Sequence, residues 1–466
     1  MAVVVNPGLD RSVSTDSRMF TYCIRKRLCR VNSNVSPLPE LLQLCKHYGK
    51  SSDGGSDPTS GIMQLFQRRF FIPLEDHHAV SLLKGKTCAY GPLGVNLKRN
   101  MLEQWWSSMV RSRPQVFGIS TLHGVGDKGA GEVGDLFKQT DLTKEQLGER
   151  VLELLRRRQP FRTSLLQGAL AQYIPSLELM SRKLPFGLAE TGLCYRPEDD
   201  DSDAISCSAE VTEASLVWFC SPRTSLQWLD YWTRQRLQWW RKFALGPSDF
   251  SVCDVQDDEL INSASRGAKV LYKFPWGTET LETLWILGDT ELLKSHPGNR
   301  AELQCRDGKK VVVPHVLSLG ANMDRGVLAV LLNSLQDIQK VDNKQRLHQR
   351  TVLKLHPTLA PVKVALDMGR GSTSELRQVC EGLLHQLLEV GISVWPGYMD
   401  TTQSSMDKLH TKYDEMGVLF TVMVGENTLE NGLLLVRNRD TTVRETMHIS
   451  GIREFILKYI SKAENI

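Results

Sequence analysis

No run of 18 apolar residues occurs in this chain, so no membrane-spanning helix is expected. No C-x-x-C pair occurs among its 10 cysteines, which argues against a zinc ribbon or finger. A chain of 466 residues also has no need of a disulfide framework, and free thiols in a reducing compartment fit this usage. Neither G-x-S-x-G nor H-E-x-x-H is present, and no Cys/His pair stands in a recognisable catalytic setting. The 11 histidines do not cluster at ligand spacing. His315, following Pro314 in an apolar run, reads as a satisfied core group, and the acidic stretch 199–203 as a solvated loop. No catalytic residue, metal site or cofactor is expected.

What is present is globular: 41% hydrophobic and 24% charged residues, without an extended low-complexity tract. The length allows two or three domains. Residues 355–466 hold 11 basic and 14 acidic residues, a balance of −3, which leaves +7 of the overall +4 on the rest of the chain. A modestly basic body permits nucleic-acid binding without demanding it. The first thirty residues are rich in Arg and Ser and poor in acid. Such a start is that of an organelle transit peptide or of a disordered tail.

Residues 1–60 end in a Gly/Ser/Asp linker, and the apolar spacing of "IMQLFQRRFFI" predicts that ordered structure begins near 61. A glycine-rich loop is expected over 118–134, then a helical hairpin over 141–182 whose second member bends at Pro175. Its charged first helix and apolar second helix suggest an inserted element that packs on another surface, a copy of itself being one candidate. Strands are expected at "GLAETGLCYR", "EASLVWFC", "KVLYKF" and "VVVPHVLSL", one long helix at 225–245, and an exposed loop at 246–268. This is an α+β pattern with a largely antiparallel sheet, occupying 61–345. From 355 to 466 strand and helix alternate, which predicts a compact α/β domain with a mixed sheet.

Two stretches invite functional readings. "YGPLGVNLKRNMLEQWW" (90–106) has glycines before a helix, but it lacks the third glycine or the Gly-Lys-Ser/Thr of a phosphate loop, so a tight turn and close backbone packing are expected. The helix 225–245 interleaves tryptophans with Arg234, Arg236, Arg241 and Lys242. Positions 228, 232, 239 and 243 share one face, which points to core, while the arginines are free to face solvent or phosphate.

Three segments resemble the signature motifs of class II aminoacyl-tRNA synthetases, the glycyl enzymes in particular. "YGPLGVNLKRNMLEQWW" resembles motif 1, "LPFGLAETGLCYRPE" the approach to motif 2, and "VPHVLSLGANMDRGVLAVLL" motif 3, with Arg325 at its arginine position. Residues 360–460, through "GISVWPGYM", "KYDEMGVLFTVMV" and "LVRNRDTT", resemble the anticodon-binding domain of the same subclass. The resemblance implies a synthetase-like antiparallel core with an inserted helical hairpin, followed by an anticodon-binding-like domain.

The motifs depart from the enzymes at telling places. Asn322 stands where motif 3 has the glycine that makes room for adenine. Tyr195-Arg196-Pro197-Glu198 replaces Phe-Arg-Asn-Glu in motif 2, leaving Arg196 and Glu198 in an altered turn. "TEASLVWFCSP" places Val217, Trp218 and Phe219 where an amino-acid pocket needs polar groups. Catalysis by positioning is lost with the positioning groups.

With these departures the chain resembles the family of non-catalytic, synthetase-derived accessory subunits of mitochondrial DNA polymerase. That family implies a homodimer in the mitochondrial matrix and nucleoid that binds the catalytic polymerase subunit and duplex or primer-template DNA, raises processivity, and has no membrane partner. Candidate DNA contacts are Lys98, Arg99, Arg156, Arg157, Arg158, Arg234, Arg236, Arg241 and Lys242. Candidate polymerase contacts are Trp395, Tyr398, Met399 and Gly432 on the acidic C-terminal unit. An active glycyl-type synthetase and a non-catalytic binder of tRNA-like RNA are the alternatives.

Overall fold

The computed structural model describes residues 58–83, 89–122, 162–196, 209–261, 263–298, 300–341, 347–369, 371–400 and 405–464. Arg156, Arg157, Arg158, Pro197, Glu198, the first member of the 141–182 hairpin, the acidic stretch 199–203 and most of the expected 118–134 loop lie outside them. Residues 59–466 form one compact unit.

The described residues open with helices α1 (Pro58–Arg68), α2 (Asp76–Leu83) and α3 (Pro92–Trp106), the last running on into a π-helical turn, Ser107–Arg111. Strand β1 (Val116–Gly118) follows, then the short helices α4 (Leu166–Ala171) and α5 (Tyr173–Leu179). The long strands β2 (Phe186–Arg196) and β3 (Ala209–Cys220) lead to α6 (Ser225–Lys242). Next come β4 (Phe250–Asp254), β5 (Arg266–Phe274), β6 (Gly277–Gly288), α7 (Thr290–Ser295), the small ribbon β7–β8 (Cys305–Asp307, Lys310–Val312) and β9 (His315–Asn322). Helix α8 (Met323–Ser334) and the hairpin β10–β11 (Leu335–Val341, Leu347–Leu353) close this part.

Seven strands form one sheet in the order β1-β2-β3-β9-β6-β5-β4, antiparallel except for the β1–β2 pair. Side-chain alternation divides its residues between two cores. Leu216, Trp218, Leu284, Leu317 and Leu319 pack with α3, α6 and α8 on one face. Phe186, Leu188, Val217, Phe219 and Val316 pack with α4 and α5 on the other. Trp218 therefore points away from the pocket face on which the sequence reading placed it, and only Val217 and Phe219 remain there.

The 246–268 segment is not simply an exposed loop. It contains β4, whose Phe250 is fully buried and stacks on Trp240. Acidic, turn-rich flanks hid a strand of only five residues. The apolar helix of the hairpin breaks at Gln172, before Pro175, because a proline at 175 has no N–H to donate to Ala171. Its second half packs on the sheet: Tyr173 and Leu177 are fully buried, and the Tyr173 hydroxyl donates to the Leu303 carbonyl at 2.9 Å. His315 is less satisfied than expected. Its Nδ1 is buried without a hydrogen-bond partner, and burial lowers its pKa.

The C-terminal part is a five-stranded mixed sheet, β13-β12-β14-β15-β16, with β12 (Val364–Met368) parallel to both β13 (Val394–Trp395) and β14 (Phe420–Val424). Strands β15 (Leu433–Asn438) and β16 (Arg444–His448) run antiparallel. Helix α9 (Thr373–Glu389) follows β12, α10 (Met406–Glu415) and α11 (Glu426–Asn431) flank β14, and α12 (Ile452–Glu464) closes the chain. This is the expected α/β arrangement.

Candidate functional site

The motif 1 turn is closed by backbone, not open to a phosphate. Gly91 N and Leu93 N donate to the Phe71 and Phe70 carbonyls at 2.9 and 3.0 Å. A Cβ at Gly94 would stand 2.0 Å from the Phe71 oxygen, so only glycine fits there. Pro92 then starts α3 where its missing N–H costs nothing. Further along the helix, Lys98 Nζ reaches Asp324 Oδ1 at 2.6 Å, and the Tyr90 hydroxyl donates to the same oxygen at 2.8 Å. Asp324 Oδ2 accepts from Thr212 N at 2.6 Å. One carboxylate thus binds motif 1, strand β3 and motif 3 together.

Beside it, Arg325 is held from all sides. Its Nε and Nη2 donate to Glu279 at 2.6 Å each, and Nη1 and Nη2 to the carbonyls of Leu82 and Leu83 at 2.7 and 3.2 Å. The guanidinium also lies 4.7 Å from the Phe274 ring centre. Asn322 turns its Oδ1 onto Arg325 N at 3.0 Å and caps α8. Arg196 is the last residue of β2. On the α4 side of the sheet, Glu190 is buried and accepts from Arg162 Nη1 and from the Thr121 amide, each at 2.9 Å, and Ser215 Oγ is buried without a partner. This face keeps polar groups that the apolar reading of 214–220 missed. Alternation along β3 was the signal available for them.

The basic candidates separate by environment. Arg99 and Arg234 are exposed, whereas Lys98 is committed to Asp324. Arg236 is a correction: it is 1% exposed, and its Nε donates to both Glu282 oxygens at 2.7 and 3.0 Å. Trp240 Nε1 donates to Glu282 as well, at 2.9 Å. Arg236 lies four residues from both Trp232 and Trp240, on the face that carries the buried tryptophans, so the helical period itself marks it as internal. Arg241 donates to the Phe250 carbonyl, and Lys242 to that of Glu464.

In the C-terminal domain, Met399 is the candidate contact that is open to solvent, at 59% exposure. Tyr398 is a second correction. Its ring is buried in the core and its hydroxyl has no partner. Trp395 is half-buried, stacked on Phe70 with ring centres 6.4 Å apart and with Lys412 over its ring at 5.6 Å. Below them, burial raises the pKa of Asp367 to about 6, although it accepts from the Tyr413 hydroxyl at 2.9 Å.

The run Tyr413-Asp414-Glu415 sends each side chain to a different element: Tyr413 to Asp367 on β12, Asp414 to Arg437 on β15 and Arg350 on β11, and Glu415 to Arg68 and Arg69 at the end of α1.

Gly432 ends α11 with φ of 68°, and a Cβ there would meet His448 Nε2 at 2.5 Å. Gly432→Ala is expected to cost about 1–3 kcal/mol, from left-handed strain and displacement of His448. Equilibrium urea unfolding measures it, and an unchanged midpoint would refute the strain argument. Gly432→Glu thus disturbs the fold before it alters any surface.

A seven-stranded, mainly antiparallel sheet carrying motif 1 and motif 3 helices, joined to an anticodon-binding-type domain, is the class II aminoacyl-tRNA synthetase-like fold. Residues 360–459 match the anticodon binding domain family. The glycine–tRNA ligase of Thermus thermophilus is 28% identical over 384 residues, 75% of this chain and 73% of that protein. The DNA polymerase subunit gamma-2 of Mus musculus is 46% identical over 445 residues, 90% of this chain and 96% of its own length. A Xenopus laevis protein, "DNA polymerase subunit gamma-2, mitochondrial", is 47% identical over 431 residues, covering 91% and 92%. The chain belongs to the DNA polymerase subunit gamma-2 family.

Proposed function

We propose that this chain is a non-catalytic accessory subunit of a mitochondrial DNA polymerase. It acts as a homodimer that binds the catalytic subunit and duplex or primer-template DNA and raises processivity. The observation that carries the non-enzymatic part is Arg325. A synthetase arginine must be free to meet ATP, and this one has its donors committed to Glu279, Leu82 and Leu83. Purified protein is expected to show no amino-acid-dependent ATP–pyrophosphate exchange, and Asn322→Gly alone is expected to restore none. Robust exchange would return the chain to the synthetases.

Arg99 and Arg234, with Arg156, Arg157 and Arg158, are the proposed contacts to DNA phosphate. Binding through them carries little sequence preference and weakens steeply with salt. Preference for tRNA over duplex at fixed salt would favour an RNA-binding role. Met399 and the half-buried Trp395 are the proposed polymerase contacts, on a domain whose net charge of −3 suits a basic protein surface better than a polyanion. Dimerisation is proposed for residues 141–161 of the 141–182 segment. Deletion of 141–161 spares the sheet-packing helices, and an unchanged dimer mass would remove this role.

A further inference from the structure

On the helix-covered face of the large sheet, between the π-helical turn after α3 and α6, lies a cleft of about 500 Å³. Among the described residues its lining includes Arg113, Arg236, Arg241 and Lys242, the amides Gln235 and Gln238, and no acidic residue. Of these four cations only Arg236 has a carboxylate partner among the described residues, Glu282. Arg241 and Lys242 are held by the main-chain carbonyls of Phe250 and Glu464, and Arg113 by Gln235 Oε1 at 3.4 Å and the Trp232 ring at 5.0 Å. Carbonyls and rings orient a cation without cancelling its charge, so the cleft keeps an excess of about three positive charges.

Arg236 supplies the second observation. It is 1% exposed, stacked on Trp239 at 4.4 Å, with Nη1 against Met109 Sδ at 3.7 Å. Its Nη2 is buried with no hydrogen-bond partner, and such a group is costly unless something completes it. The wall that carries Met109 is a π-helical turn, a local irregularity frequent at binding sites.

We infer that this cleft binds a small polyphosphate, a free pyrophosphate or the triphosphate of a nucleotide, with Arg236, Arg241, Lys242 and Arg113 as its cationic wall. A small polyphosphate fits better than duplex DNA because Arg236 is recessed, and the phosphates of a duplex on the outer surface stay beyond its reach. Guanidinium groups pair with phosphate oxygens through two parallel hydrogen bonds, and the two glutamine amides add neutral donors. The inference does not rest on the DNA contacts proposed above, which lie at other residues.

The test is titration calorimetry of the full chain with pyrophosphate and with dATP, ionic strength held constant with chloride. Gln238→Glu adds an acid at an exposed position of the wall, and Arg113→Gln removes one cation; each is checked by its melting curve. Saturable binding weakened roughly tenfold in both variants, and unaffected by saturating duplex DNA, is the expected result. Equal affinity for pyrophosphate and dATP would identify the phosphates as the recognised part, and tighter dATP binding would add contacts to the nucleoside. Competitive displacement by duplex would reassign the cleft to the DNA backbone and overturn the inference. No binding above the chloride control, or binding unchanged in both folded variants, would overturn it as well.

Discussion

Replacing Asp414 with asparagine is expected to lower stability by about 3–5 kcal/mol or more, the cost of stranding buried charge. Asp414 is 1% exposed and receives Arg437 Nη1 and Nη2 at 2.9 and 3.0 Å. Arg350 also pairs with it, so one carboxylate serves two guanidinium groups and balances one of their two charges. Burial already lowers the Arg350 pKa, with the Asp414 charge opposing that shift, and its Nε is buried without a partner. An amide of the same shape leaves both cations in low dielectric. The variant is expected to unfold at far lower urea, with the 335–353 hairpin released first, since Arg350 ties β11 to α10 through Asp414. Hydrogen exchange resolved by segment checks the order. Loss of the hairpin and of β15 together would instead indicate a single cooperative unit.

Glu282→Gln is expected to cost a similar amount, about 3–5 kcal/mol, in the large sheet. Its carboxylate is 1% exposed on the side chain and accepts from Arg236 and from Trp240 Nε1. Gln keeps one acceptor and removes the charge that balances Arg236. The double replacement Arg236→Met with Glu282→Met removes both charges from a site lined by Met109, Trp239 and Trp240, and buried pairs so replaced are often neutral or more stable. Recovery of most of the lost stability in the double variant is therefore expected. A double variant as unstable as Glu282→Gln would count against stranded charge as the main term.

Much of this was legible in advance, and the failures share a cause. Gly91 and Gly94 read correctly as packing residues because the missing phosphate-loop positions can be seen in sequence alone. The mixed sheet of the C-terminal part followed from strand and helix alternation. Arg236 and Glu282 were not legible as a pair, because the two residues are 46 positions apart and only the sheet brings them together. A Pro-Gly turn usually lies outside, which predicts a surface position for Tyr398, yet here the turn buries its ring. Trp218 was assigned to a pocket that its neighbours face, an error of one position in a period of two. The roles of Asp324 and Glu415 rest on partners 112 to 347 positions away, and those of Tyr413 and Asp414 on Asp367 and Arg437, 46 and 23 positions away, pairings for which a single sequence carries no signal.

The clasp of Glu415 on Arg69, at 2.6 Å, joins residues 346 positions apart. During synthesis the arginines emerge early and their acid almost last. Until the C-terminal domain has been made and folded, the first helix has neither this ion pair nor the Phe70 ring's stack on Trp395. Closing so long a loop gains nothing until both ends are in place, so seating α1 belongs to the final stage of folding. A chain stopped before residue 415 would leave the ribosome with α1 unclasped. For this fold, the helix at 58–68 is finished by a carboxylate made 346 residues after Arg69.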